Sequence, residues 1–365
     1  MKHTNVRILS FSIVVAAINI LKIINPQVAM EAARRGALLW FNNVLPGILP
    51  FVIGANVLMN LGVVKFLGIF LSPATRFLFK LPGSASFAIG MGAISGYPMG
   101  AKIVCQLRAS GELTKNEAQR LLAFSNNAGP LFVLGAVAVG MFGSVYLGYL
   151  LLIGHYIGAI SLGLLTRLFA RKSLLKSDKL PVLVVNKEPF GQVLGQAVKN
   201  SMETLLIIGG FIILFSVVSA LVTQFSFIGS YVSIFLASVL EMTGGLGLLA
   251  EEELAQNIAA AAGAVLGFGG FSVMFQALSF IGKTDLSPTL YILSKLAHGI
   301  LAGIATFLIY PIFSNQIQTA TVTTFAPSIV RTFANSTVFF IIATLALIAL
   351  GAIALIAHKI KTKQK

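Results

Sequence analysis

Acidic residues are scarce in this chain: 11 Asp and Glu stand among 365 residues, against 26 Lys and Arg. Cysteine is scarcer still. Cys105 is alone, so no intrachain disulfide forms and the redox compartment stays unconstrained. The four histidines (His3, His155, His298 and His358) are scattered, and neither HExxH nor CxxC spacing occurs, so no metal centre is expected. A phosphate-binding P-loop is absent, which argues against ATP hydrolysis within the chain. No nucleophile stands with a base at usable spacing, so an enzyme is not expected. Charge of both signs is thin. With 10% charged residues, 57% hydrophobic residues and a mean hydropathy of +0.92, a water-soluble domain could not cover its surface. What fills the chain instead is a series of apolar stretches, several of about 18 to 25 residues, the length that crosses roughly 30 Å of hydrocarbon. The composition specifies an all-α polytopic membrane protein whose first partner is the lipid bilayer.

The net charge of +15 does not point to nucleic acid. The basic residues sit in short loops and at the two ends, as cytoplasmic retention of Lys and Arg produces, and no basic face or nucleic-acid motif appears. Lys2 and Arg7 precede an apolar run from Ile8 to Leu21. Without a small-residue cleavage site before Lys22, this reads as an uncleaved first span. Further spans are expected at 37–61, 117–143, 144–168, 200–222, 228–248, 290–312 and 335–357. Pro46 and Pro50 should kink the second. Two Gly-rich segments, 84–107 and 257–281, read as re-entrant hairpins that enter and leave on one side. The halves repeat: Glu112-Leu113-Thr114 answers Asp285-Leu286-Ser287, each triplet opening a helix, and each lies downstream of one hairpin. Thr114 with Glu117 forms a capping box, and Ser287 before Pro288 an N-cap with Pro at the first helical position. The predicted organisation is an N-terminal span and connector (1–36), a first repeat (37–168), a basic cytoplasmic connector (169–198), a second repeat (199–312) and a C-terminal span with a basic tail (313–365).

The breaks carry the functional signal. Ser95-Gly96-Tyr97-Pro98-Met99-Gly100-Ala101-Lys102 and Phe124-Ser125-Asn126-Asn127-Ala128-Gly129-Pro130 are too apolar at their ends for a loop in water, yet break in the middle. Backbone groups freed in hydrocarbon survive only where protein or a water-filled cavity receives them. Paired interrupted segments mark the midplane site of a secondary transporter, held at a repeat interface.

These same motifs, with His155-Tyr156-Ile157-Gly158, Glu241-Met242-Thr243-Gly244-Gly245, Gly267-Phe268-Gly269-Gly270-Phe271-Ser272-Val273 and His298-Gly299, resemble the sporulation integral membrane protein YlbJ family over nearly the whole chain. Met274 and Lys295 depart from the family pattern, standing where His and Arg are expected. The family carries the nucleoside-recognition gate domain, which looks like the core of concentrative nucleoside transporters. The resemblance implies a role in endospore formation, moving dipicolinic acid from the mother cell toward the forespore, in the membrane around the forespore.

Each candidate residue has two readings. Ser95, Gly96, Tyr97 and Pro98 would aim exposed amides at an anion, with Tyr97 stacking on an aromatic dianion and Lys102 neutralising a carboxylate; alternatively, the small residues only let helices pack closely. Asn126 and Asn127 either bind cargo or satisfy the hairpin amides. In the second half Gly269 and Gly270 break the helix, while Ser272 and Gln276, one turn apart, face one cavity. Lys295 and His298 share a face at i, i+3 and suit an anion pocket, or Lys295 snorkels. Glu241, with Thr243, is an acidic residue at membrane depth and a candidate for a coupling proton or sodium ion, or else pairs with Lys283 or Lys295. His155 reads as a packed or interfacial residue, and Glu251-Glu252-Glu253 as a solvated turn. The expected function is a cofactor-free secondary carrier of a small carboxylate, compatible with a homo-oligomer. A nucleoside or other anion is an alternative cargo, and a non-transporting scaffold for sporulation proteins an alternative role.

Overall fold

Apolar stretches cut by Gly, Pro and buried polar residues should give helices of uneven length, and they do. The computed structural model describes residues 2–61, 73, 75–130, 132–170, 189–224 and 229–320, and among these all regular structure is helical. The expected span at 335–357, the basic tail and most of the 169–198 connector lie outside the described residues. Met1–Ile317 clusters as one unit and Gln318–Lys365 as another; the elements below belong to the first, except that the final helix ends at Ala320.

The chain opens with α1 (Lys2–Ile24) and α2 (Pro26–Leu39), a π-helical turn at Trp40–Val44, and α3 (Leu45–Asn60). Thus the helix expected from residue 37 starts at Pro26. Pro46 follows directly on the π-helical turn, and Pro50 lies within α3. The Trp40 indole donates to the Leu205 carbonyl at 3.0 Å, pinning the π turn to α8 (Phe190–Thr223). Then come α4 (Ala85–Ser95), α5 (Met99–Ala109), α6 (Lys115–Ser125), a π-helical segment at Phe132–Val139 and α7 (Val145–Thr166). After α8 follow α9 (Ser230–Leu240), α10 (Met242–Ala250), α11 (Gln256–Phe268), α12 (Gly270–Ile281) and α13 (Pro288–Ala320).

The capping signals read from the sequence hold. The Thr114 amide donates to Glu117 Oε2 at 2.8 Å and the Glu117 amide to Thr114 Oγ1 at 3.3 Å, closing the box. Ser287 Oγ accepts from the Leu290 amide at 3.3 Å, and Pro288 opens α13.

Among the described residues four helical stretches are long and apolar enough to cross a membrane: Val145–Phe169, Phe190–Thr223, Gln256–Ile281 and Pro288–Ile317. A fifth arises if the pair Ser12–Ile24 and Pro26–Asn42, bent by 105°, counts as one span. The protein is therefore a multi-pass membrane protein. One expected span is replaced by α6, an irregular stretch at 126–129 and the π-helical segment.

The hairpins require a correction. The first is where the glycines put it: a Cβ on Gly92 would lie 3.0 Å from Gly100 Cα, so α4 and α5 double back on each other across Gly96-Tyr97-Pro98. The second is not at 257–281. There α11 and α12 run on as one candidate span through Gly269 (φ +85°) and Gly270 (φ +69°). The reversal lies instead at 230–250, expected as a full span. Glu241 adopts an extended conformation (φ −141°, ψ 110°), its carboxylate caps α10, and a Cβ on Gly245 would lie 2.6 Å from the Ser238 amide nitrogen. A carboxylate that turns back onto the next two amides ends one helix and starts another; left-handed glycines let a helix restart without reversing.

With the reversal moved, the succession helix, hairpin, interrupted helix, helix occurs twice. Ser144 Oγ caps α7 through the Leu147 amide at 3.3 Å, as Ser287 caps α13. His155 and His298, 143 residues apart, follow those caps by the same interval. The counterpart of Ser287 is thus Ser144, not Thr114. Thr114 opens α6, which matches α11 in the order. Glycines close the packing around α13, both across the halves and within the second half. A Cβ on Gly158 of α7 would come 2.7 Å from the Ala302 amide nitrogen of α13, and one on Gly267 of α11 would come 2.8 Å from Gly299 Cα. Membrane helices lack a hydrophobic drive toward each other, so such close approaches supply the packing.

Candidate substrate site between the two hairpins

Where the hairpins turn, they meet. Ser95 ends α4, Gly96 is in a positive-φ conformation (+78°), the Tyr97–Pro98 peptide is cis, and Met99 opens α5. Gly96 sits on Gly129 of the irregular stretch so closely that an added Cβ would lie 2.8 Å from its nitrogen. The Tyr97 hydroxyl donates to the Met242 sulfur at 2.8 Å, which joins the first turn to the second. At that second turn the Glu241 carboxylate accepts from the Thr243 amide at 3.0 Å and the Gly244 amide at 2.6 Å.

A cavity lies between the turns. Ser95, Gly96 and Tyr97 line it from the first hairpin, Glu241, Met242 and Thr243 from the second, and Ser272, Val273 and Gln276 from α12. Gly129 and Phe132 close it beside the irregular stretch, and Ile208 and Ile212 of α8 supply an apolar wall with Val44. Seven of the residues expected at the site therefore share one cavity: Ser95, Gly96, Tyr97, Glu241, Thr243, Ser272 and Gln276.

The others form its support. Gly269 and Gly270 interrupt the second broken span, and Gly270 approaches the Met242 nitrogen and the Ser238 carbonyl, where a Cβ would lie 3.0 and 3.2 Å away. Asn126 is buried and spoken for: its Nδ2 donates to the Tyr291 hydroxyl at 2.7 Å, and its Oδ1 accepts from the Ala101 amide at 3.4 Å. Asn127 Nδ2 donates to the Phe124 carbonyl at 2.9 Å, while its Oδ1 is buried without a partner. Both asparagines thus serve the broken backbone. Pro98 lies off the lining. Lys102 also lies off it, its ammonium donating to Thr204 Oγ1 of α8 at 2.9 Å.

Lys295 is 1% exposed and His298 fully buried. The Lys295 ammonium donates to the Asn126 carbonyl at 3.1 Å, lies 3.1 Å from His298 Nδ1, and stands 6.0 Å over the Tyr97 ring centroid. His298 Nε2 is 3.0 Å from the His155 carbonyl. A carbonyl only accepts, so this nitrogen carries the proton and Nδ1 accepts from Lys295. His155 Nε2 in turn accepts from the Ala128 amide at 3.0 Å, and the two imidazoles lie 4.6 Å apart. Neither pairing offered for Glu241 forms. Among the described residues no salt bridge reaches Glu241 or Lys295.

Three contributors escaped the sequence reading. His155, read as a packing residue, receives an amide of the broken stretch; Tyr156 donates to the Ala93 and Ala128 carbonyls at 2.8 and 3.2 Å; Tyr291 holds Asn126. The available signal was a histidine inside an otherwise apolar span. Among the described residues no three His, Cys, Asp or Glu side chains converge as a metal ligand set.

No family model and no solved structure matches the chain. It is 34% identical over 321 residues to a sporulation integral membrane protein, YlbJ, of Bacillus subtilis strain 168, an alignment that covers 78% of each chain.

Proposed function

Because the chain belongs to the YlbJ family of sporulation integral membrane proteins, we propose that it is a secondary carrier acting in sporulation. Its cargo is a small carboxylate, dipicolinic acid first, moved from the mother cell toward the forespore across the membrane around it. The observation that carries this reading is the convergence of two hairpin turns and two helix interruptions on one cavity. Broken helices place amides and carbonyls at membrane depth, which suits polar cargo. The two successions of elements then act as repeats, with the architecture expected of a nucleoside-transporter core. Movement of one hairpin-bearing bundle against the other would expose the cavity alternately. Lys295, buried behind Tyr97, is the cation placed to balance an anion, while Tyr97 offers an aromatic face.

Glu241 favours a second cargo. A carboxylate in the cavity wall opposes a dianion, and a neutral nucleoside does not meet that repulsion. Uptake into proteoliposomes separates the readings, using radiolabelled dipicolinate, with uridine and empty liposomes as controls. Saturable dipicolinate uptake, reduced about tenfold or more by Lys295→Met or Gln276→Leu, is the expected result; tenfold corresponds to about 1.4 kcal/mol. Uridine uptake alone would replace the cargo and keep the carrier. Uptake of neither by folded protein would overturn the carrier in favour of a scaffold.

A further inference from the structure

Glu241 and Thr243 line two cavities. The inner one, between the hairpins, has a volume of about 60 Å³. The outer one, about 530 Å³, is open and lies against α2, α8, α9 and α10. Ligand sites run to roughly 300–1,000 Å³, so the outer space is large enough to hold a hydrated solute and the inner one is smaller than such a site. Ser216, Ser219 and Thr223 of α8 line the outer space with hydroxyls, and Arg35 and Glu251 are its exposed charged residues.

Two features make this a vestibule leading to Glu241. The face of α10 that borders it carries no side chain at Gly244 and Gly247. A Cβ on Gly247 would meet nothing within 4 Å, and one on Gly244 only Glu241 Oε2, at 3.4 Å. The charges also fail to balance. The lining holds the carboxylates of Glu241 and Glu251 against one guanidinium, Arg35, which also lies 3.7 Å from Glu31. Each Glu241 oxygen takes one backbone amide and keeps lone-pair capacity for another partner. Oxygen donors with surplus negative charge suit a small hard cation.

We propose that this vestibule is the water-filled route by which a small monovalent cation, sodium or hydronium, reaches Glu241 from outside the hairpin cavity. The inference deepens the carrier reading and rests on it for the use of the cation, since a cation at Glu241 removes the repulsion an anionic cargo would meet. The titratable groups facing Glu241 are Tyr97 from the first hairpin turn, Arg35 from α2 and Glu251 after α10; Lys295 of α13 stands behind Tyr97.

Thiol labelling of the purified chain in detergent tests the route without requiring transport. In a Cys105→Ala background, a Gly247→Cys chain should react with a cationic, membrane-impermeant thiol reagent about tenfold faster than with an anionic one of equal size. Glu241→Gln should abolish that preference. Thr223→Cys is a second reporter should Gly247→Cys fold poorly. Gly210→Cys, on the exposed face of α8 with open space at its Cβ, should react slowly with both reagents. Protection by sodium assigns sodium; an intact preference without protection assigns hydronium. Equal labelling of the vestibule and Gly210 positions, or a preference for the anionic reagent, overturns the route. Labelling without uptake of either dipicolinate or uridine would sink the carrier reading alone, and uptake without labelling the route alone.

Discussion

Asn126 shows how a broken membrane helix stays folded. Its side chain spans two elements, donating to Tyr291 of α13 and accepting from the Ala101 amide of α5, while its own carbonyl receives Lys295. Asn126→Ala leaves a hydroxyl and an amide unpaired in a buried place, and such groups cost about 1–3 kcal/mol each. Tyr291→Phe leaves only one such group unpaired, the Asn126 Nδ2, and should cost about 1–3 kcal/mol once. Thermal melts in detergent should therefore rank wild type above Tyr291→Phe and Tyr291→Phe above Asn126→Ala. The reverse order would mean that Asn126 faces cargo and contributes little to folding. Gly100 makes a sharper case. An added Cβ would run into the Ser125 carbonyl, a backbone atom that cannot rotate away. Gly100→Ala should force α5 off the irregular stretch and cost about 1–3 kcal/mol, as overpacking does, whereas Gly90→Ala, with nothing within 4 Å, should melt like the wild type.

At the scale of elements, the halves are tied outside the cavity as well. The guanidinium of Arg108, at the end of α5, holds Asp285 through two bonds of 2.9 Å. Gln119 of α6 accepts from the Ser287 amide at 2.6 Å and donates to the Ser287 carbonyl at 3.2 Å. The hydrogen bond from Arg108 holds the Asp285 carboxyl below the usual carboxylate range. The bond therefore stabilises fully above the ordinary Asp value of about 3.9, and its contribution is lost as pH falls through the lower folded value. Asp285→Asn should melt below wild type at neutral pH, and the gap should close below about pH 3.9. An unchanged gap in acid would show that the ion pair is not its source. These elements also mark what the sequence revealed. Thr114, Glu117, Ser287 and Pro288 act within one turn of themselves, so their caps were legible. So was the first hairpin, where Gly96 and Pro98 stand together with Ser95 and Tyr97 in the middle of an apolar segment. Glu241 was not legible as a reversal, because one carboxylate in an apolar run looks the same whether it faces a partner or caps its own next amides. Gly267–Gly270 misled for the converse reason. Glycine permits reversal or close crossing alike, and the contact that decides, Gly267 on Gly299, is remote in sequence.

Across the whole molecule, the site depends on a seam that touches no cargo. His155 and His298 occupy equivalent places in α7 and α13, and the bond between them crosses the two halves. That approach exists because Gly154 and Gly158 admit Thr306 and Ala302 of α13 from one side, while Gly263 and Gly267 admit Thr306 and Gly299 from the other. In the sequence these glycines were only frequent, and the residues that they admit are remote from them along the chain. Gly158→Val should push α7 from the Ala302 backbone, part the two imidazoles and remove the carbonyl that orients His298. Lys295 would then lose its fixed acceptor on one side, so the lesion should reach the cavity through the seam. A loss of about 2 kcal/mol or more in detergent melts is expected, at the upper end of overpacking costs, together with loss of uptake. Gly210→Val, placed on the exposed face of α8 with nothing within 4 Å of its Cβ, controls for glycine replacement in a span and should leave both unchanged. If Gly158→Val instead melts and transports like Gly210→Val, the seam yields freely, and the two histidines cannot owe their geometry to it.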